Sequence, residues 1–355
     1  PTYGIFAYIP ERYGASIKFL DLKQEDNWFV NINELKKAIL HINNKLNTLA
    51  KQKKLCYIPR VSMLFLINPS NPIGNYYSTK NYDDLEAIAE TCIKNNIVIV
   101  EDLLYDGTIY ANKKIVSVLN TKAFPDNAVI LQGISKAYGL ASLRAGFAIS
   151  NEIIINCLRN KLFQNMDSAS LLQSKALEGV FGTPLTTLIK IENKNSNIYE
   201  YNLNLIIAMI NGIDSIDTKS FNKLIIKDIN KVTKNKKFTK KLLNGIEGIS
   251  ILKNSLPQSG FFINLNFEGI KGKKIKNIEI RNIYDVLKLS TQYCKFKFLC
   301  GTTYGFKENS MIGRITFSNN KYELIKAFYS LDKILNEEKY YETNWNYNKN
   351  IRRFK

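Results

Sequence analysis

AVILQGISKAYGLASLRAGFAIS, residues 128–150, is a short apolar run, then a turn of small residues around a lysine, then a second short apolar run. Runs of four to six apolar residues bounded by Gly and Ser predict strands rather than helices. Ala128–Gly133 is one predicted strand and Ala145–Ile149 the next. Upstream, VSMLFLIN (61–68) and IVIVE (97–101) read the same way. Between them Ser78 can cap a helix whose apolar positions Tyr82, Leu85, Ile88, Ala89 and Cys92 recur every three or four residues. Strands alternating with helical patterns predict an α/β unit with a mainly parallel sheet covered on both faces.

Polar residues follow these strands directly. Asn71 comes after the first, Asp102 and Tyr105 after the second, Ser135 and Lys136 after the third. In open α/β sheets ligands bind at that edge, so topology makes these groups converge. After about residue 165 the pattern turns helical and then polar and Asn-rich through Asn204, where a domain change is expected. Helix, short strands (Gly248–Leu252, Phe261–Leu265, Gly313–Ser318) and a closing helix from Tyr322 to about Glu337 then predict a small α+β domain. The expected domains are 1–204 and 205–355.

Each of these polar residues can carry chemistry, and each has a plain structural reading. Lys136, between a buried strand and a small-residue turn, can act as an imine-forming nucleophile, or simply snorkel. Arg144, in SLRAG, offers a planar fork suited to phosphate, or is a surface arginine. A buried Asp102 needs a cationic partner, or caps a helix while Tyr105 packs. NPSNPIG (68–74) holds Asn71 in a rigid loop, with or without a ligand. Arg314, in IGRITFS, can clamp a carboxylate through two parallel hydrogen bonds.

Composition narrows the menu. At 355 residues and 45% apolar content the chain can bury substantial cores. Five cysteines lack CxxC spacing, which suggests neither a zinc site nor a disulfide framework and fits a reducing, cytoplasmic setting. The one histidine, His41, lies in a segment that reads as an exposed helix, which disfavours a Ser/His/Asp triad or a two-histidine metal site. No apolar run approaches the roughly 18 to 20 residues of a membrane span.

The formal charge of +19 would point to nucleic acid. Lys, Asn, Ile and Tyr are over-used together, however, as A/T-rich codons dictate, and the basic residues spread along the whole chain. The densest run, Lys227–Lys241, reads as a solvated face, and the basic, aromatic end from Tyr340 as a frayed terminus. A nucleic-acid partner is therefore not expected.

In this order and spacing, NPSNPIG, EDLLYDGTIY, GISKAYGLASLRAGFAIS, QSGFF and MIGRITFS resemble the fold-type-I pyridoxal-phosphate-dependent aminotransferases of class I/II, the aspartate aminotransferase-like family, over most of residues 1–335. The resemblance implies a large domain with a seven-stranded-type sheet sandwiched by helices, and a smaller C-terminal α+β domain. It implies pyridoxal 5'-phosphate as cofactor, with Lys136 forming the Schiff base and Asp102 pairing with the pyridine nitrogen. Asn71 and Tyr105 would contact the ring hydroxyl, Ser135 and Arg144 the phosphate, and Arg314 the α-carboxylate of an amino acid. An amino acid and a 2-oxo acid would be the substrates and a homodimer the assembly. No metal is implied.

Two departures stand out. The family's Ser-x-Ser-Lys-like run is here Gly133, Ile134, Ser135, Lys136. Its glycine-rich phosphate cup and ring-stacking aromatic would lie upstream of Pro1, so the large domain is expected to lack its N-terminal part. The rival readings are another reaction on the same scaffold (carbon–sulfur lyase, decarboxylase, amino-acid cyclase or oxidase) and a non-catalytic relative. A dinucleotide-binding dehydrogenase is disfavoured, since no GxGxxG follows a predicted strand.

Overall fold

The computed structural model describes residues 1–111, 114–166, 170–217, 219–234 and 240–336. The expected frayed terminus from Tyr340 lies outside the described residues, as do 235–239 of the basic run and the predicted end of the last helix at Glu337. The chain divides into two compact units, Pro1–Asn197 with Pro257–Gly260, and Ile198–Leu256 with Phe261 onward.

In the first unit, β1 (Met63–Ile67), β2 (Val98–Asp102), β3 (Ala128–Gly133) and β4 (Gly146–Ile149) form a sheet in that order. β1, β2 and β3 run parallel, and β4 is antiparallel to β3. The presence or absence of a crossover helix goes with the switch from the β1–β2 pair to the β3–β4 pair. A parallel pair needs a crossover of a dozen or more residues, usually helical, and α3 (Tyr82–Lys94) supplies it between β1 and β2. The reversal from Gly133 to Gly146 contains only a short 3₁₀ turn, Ala141–Leu143, so the chain returns alongside itself.

Two further helices precede this sheet, α1 (Ile5–Arg12) and α2 (Ile32–Gln52). Asn31 caps α2, its Oδ1 accepting from the amides of Asn33 and Glu34. The core joins Leu35 and Ile39 of α2, Leu85, Ile88, Ala89 and Cys92 of α3, and Leu66, Ile99 and Ile130 of the strands. The predicted α3 periodicity is thus the stripe that seals the sheet. His41 is exposed on α2, as its surroundings predict.

The segment after residue 150 is more helical than its composition suggests. α4 (Glu152–Met166), α5 (Leu171–Phe181) and α6 (Leu185–Asn211) follow one another, and the Asn-rich stretch forms the middle of α6. The division between the units falls within α6, at Asn197 and Ile198.

The second unit contains α7 (Lys219–Thr233), β5 (Ser250–Ile251), β6 (Phe262–Asn266), the hairpin β7 (Lys274–Ile275) with β8 (Ile278–Glu279), α8 (Ile283–Tyr293), β9 (Leu299–Cys300), β10 (Ile312–Thr316) and α9 (Lys321–Leu335). Its main sheet is antiparallel in the order β5-β6-β10-β9. Phe262, Phe267, Phe317 and Phe328 are fully buried around it. Asn202 of α6 donates to the carbonyls of Phe317 (2.8 Å) and Asn319 (3.0 Å). Asp228 of α7 gathers Lys321 (2.7 Å), Tyr322 (3.3 Å) and Tyr201. Burial opposes that carboxylate's charge, but these three donors prevail and hold it below the usual range.

Candidate active site

The carboxyl ends of β1, β2 and β3 lie side by side, and the register pairs Ile67 with Asp102 and Asp102 with Leu131. The loop after β1, Asn68–Gly74, is closed by hydrogen bonds from Ser70 N to Asn75 O and from Gly74 N to Ser70 O, both 2.8 Å. Gly74 has φ +82, and a Cβ there would lie 2.6 Å from Pro257 Cβ and 2.8 Å from Ser259 O. Only glycine allows that approach. Its carbonyl in turn receives the amides of Gln258 and Ser259. The Gln258–Gly260 part of the QSGFF motif is therefore fastened to this loop, and Gly260 N also donates to Thr108 Oγ1 (2.9 Å). Asn71 is thereby held nearly buried, at 6% exposure.

Asp102 ends β2, and its Oδ1 accepts from Leu104 N at 3.0 Å. Desolvation raises its carboxyl above the usual range, opposed by that amide and by the charge of Lys136. Tyr105 is buried, and Lys136 Nζ stands 5.7 Å from the centre of its ring. Asp102, Tyr105 and Lys136 are thus one cluster. Buried Ile134 and Ala137 flank half-buried Ser135 and Lys136, and Leu140 N closes the turn on Ile134 O (3.2 Å).

Sequence reasoning missed the support behind this turn. Glu192 of α6 accepts the Tyr138 hydroxyl at 3.1 Å, and Asn195 donates to Ala137 O at 3.3 Å. Burial raises the carboxyls of Glu192 and Asp106, and pushes the Tyr138 hydroxyl, which faces Glu192, up to about 12. Nothing in the Asn-rich composition around Glu192 signals this, because the contacts come from distant segments. Gly107 seats against the same turn, where a Cβ would meet Ala137 Cβ at 2.6 Å and Glu192 Oε1 at 2.9 Å. Gly107→Ala is therefore expected to destabilise the first unit by about 1–3 kcal/mol. Chemical denaturation checks this, and a midpoint equal to wild type would contradict it.

Two further predicted residues have surroundings of their own. Arg144 is exposed, adopts φ +53, and donates from Nη1 to Ala141 O at 3.2 Å. Arg314 belongs to the second unit, where its guanidinium lies 4.6 Å from the Tyr304 ring centre and 5.0 Å from that of Phe262. It lines a cavity of about 640 Å³ together with Lys295, Lys297, Thr316 and Asn319. Aromatic faces on a planar cation restrict its orientation.

Chemically, the first unit offers a half-buried, desolvated carboxylate suited to a cation, an amine beside it, and a polar loop, all at one sheet edge. Among the described residues there is no group of three His, Cys, Asp or Glu side chains placed to hold a metal. No helix there is long and apolar enough to cross a membrane.

The family model described as Aminotransferase class I and II matches residues 1–263. A histidinol-phosphate aminotransferase of Colwellia psychrerythraea is 28% identical over 243 residues, covering 63% of this chain and 60% of the relative. An aspartate aminotransferase of Bacillus subtilis is 26% identical over 161 residues, covering 45% and 39%. The chain spans about 60% of the length of the Colwellia relative and less of the Bacillus one. Among solved structures, a PLP-dependent aminotransferase from Streptococcus suis superposes with a TM-score of 0.64 at 16% identity, covering 95% of this chain and 69% of that one. That likeness shows the fold.

Proposed function

We propose, from the premise that this chain belongs to the class I and II aminotransferase family, that it moves an amino group from an amino acid to a 2-oxo acid with pyridoxal 5'-phosphate as cofactor. The observation that carries the reading is the pairing of a desolvated carboxylate, Asp102, with the amine of Lys136 beside Tyr105 at the sheet edge. Asp102 offers what a protonated ring nitrogen requires: a desolvated carboxylate, half-buried at the sheet edge, with one oxygen held by the Leu104 amide. The site therefore fits the cofactor.

In this reading Asp102 holds the ring nitrogen protonated, Asn71 and Tyr105 bind the ring hydroxyl, and Ser135 and Arg144 take the phosphate. Arg314 grips the substrate α-carboxylate. Bound pyridoxal phosphate supplies an electron sink for the pair released when the substrate Cα–H bond breaks. Lys136 Nζ takes that proton from Cα and later returns one, as base and then acid. Its counter-charge to Asp102 and its small-residue turn hold the amine beside the carboxylate that would bind the ring nitrogen. Residues 1–204 would carry the cofactor and 205–355 the carboxylate clamp.

A homodimer is part of the proposal, supported by large apolar side chains left exposed along α4 to α6, with Ile153 and Leu171 at 75% and Leu185 at 70%. A cytoplasmic setting is also part of it, supported by five cysteines that stand free.

The test is a panel of amino donors, each with and without a 2-oxo acid, followed by chromatography of the keto and amino products. Stoichiometric exchange that requires the 2-oxo acid supports transamination. Product formed equally well without it would replace the reading with another reaction at the same residues.

A further inference from the structure

Alternate residues of β2 face opposite sides, so Ile99 and Glu101 share the fully buried face while Asp102 lies on the other. Glu101 is 0% exposed, and its neighbours in register are the core residues Leu66 and Ile130. An apolar side chain would serve packing better at such a place, because a buried carboxylate is costly unless fully paired. This one is fully paired. Oε1 accepts Asn68 Nδ2 at 2.8 Å, and Oε2 accepts Val118 N at 2.9 Å and the Ser117 hydroxyl.

Asn68 is used completely as well. Its second amide proton goes to Val116 O (2.8 Å), its Oδ1 accepts Tyr77 N (3.0 Å), and its own N–H donates to Asp102 O (2.9 Å). Asn68 opens the loop that carries Asn71, and Tyr77 stands at that loop's exit. The Glu101–Asn68 pair therefore closes the loop at both ends and ties it to the strand end bearing Asp102.

We infer that Glu101 is a positioning residue of the cofactor site, whose buried carboxylate, through Asn68, Ser117 and Val118, fixes the Asn71 loop against the end of β2 and so sets Asn71 relative to Asp102. The inference rests on the cofactor reading above. A neutral amide cannot replace the carboxylate, since in either orientation Gln turns its N–H toward a donor, Asn68 Nδ2 at one oxygen's place or Val118 N and the Ser117 hydroxyl at the other's. Burial raises the Glu101 carboxyl and the charge of Asp102 adds to that, while its three donors oppose the shift without cancelling it, so the anion depends on these contacts.

The experiment compares the full chain with Glu101→Gln, Ser117→Ala and, as a control on the same buried face, Ile99→Val. Each is titrated with pyridoxal phosphate by visible absorbance across a pH series, with melting temperature recorded alongside. Glu101→Gln is expected to weaken binding about tenfold, the effect of one lost charge-assisted hydrogen bond, and to displace the pH midpoint of the absorbance band. Ser117→Ala, which keeps the charge, is expected to move both readouts the same way by less, and it carries the test if Glu101→Gln does not fold. Ile99→Val should lower the melting temperature and leave affinity and midpoint alone. If both clasp variants lose stability yet bind as wild type does, with an unmoved midpoint, the residue only supports the core and the inference fails. If wild type itself takes up no pyridoxal phosphate, the cofactor reading falls first and takes the inference with it.

Discussion

Lys136→Ala should leave a folded protein to which borohydride no longer fixes pyridoxal phosphate, and should lower turnover by on the order of 10⁴-fold, the upper range for losing a positioned acid–base group. The structure makes the substitution mild for the fold. Lys136 is half-buried in a turn whose flanks, Ile134 and Ala137, carry the packing, and Tyr138, Glu192 and Asn195 anchor that turn independently of the lysine. What the variant loses is the amine, whose charge acts on Asp102. Reduction of the wild type with borohydride, then peptide mapping, should place the label on Lys136. A label on another lysine, or a variant that keeps the visible band and wild-type rates, would remove Lys136 from the site.

How much of this was legible before folding differs from residue to residue. Asp102, Tyr105 and Lys136 were readable because each follows an apolar run, and the end of a parallel strand is a fixed place in space. The strands themselves emerged within one or two residues, for instance Val98–Asp102 against the predicted 97–101. Glu101 was hidden by its neighbour. One acid at the end of IVIVED reads as the strand terminus, and only the alternation of faces reveals that it points into the core while Asp102 does not. α6 was obscured by composition, since Asn favours caps and turns over helix interiors. Tertiary burial of Leu203, Leu205, Ile206 and Met209 overrides that preference. The Glu192 and Asn195 contacts span more than fifty positions, and no local pattern encodes such a pairing.

Asp102→Asn should reveal opposing demands of stability and function. Turnover is expected to fall by on the order of 10³-fold, the scale of removing one preorganised electrostatic partner, because a neutral amide cannot hold a ring nitrogen protonated. Stability without cofactor should move the other way with pH. The folded-state pKa of Asp102 is raised, first by desolvation, above its unfolded value of about 3.9. The fold therefore favours the protonated acid, and its contribution is complete below the unfolded pKa and lost as pH rises through the folded one. Asparagine carries no such penalty. Glu101 and Asp106 shift in the same direction, but they are present in both proteins and largely cancel in the difference. Relief of the Asp102 charge beside Glu101 adds to the difference with the same sign. The melting temperature of the variant minus that of wild type should thus grow from pH 4 to pH 8 in cofactor-free protein. Saturating pyridoxal phosphate should shrink or reverse the gap, because the ring nitrogen would give the wild-type carboxylate a directly paired cation. A gap that stays flat with pH would mean that Asp102 is ordinarily solvated. A gap that ignores pyridoxal phosphate would mean that the carboxylate never meets the ring.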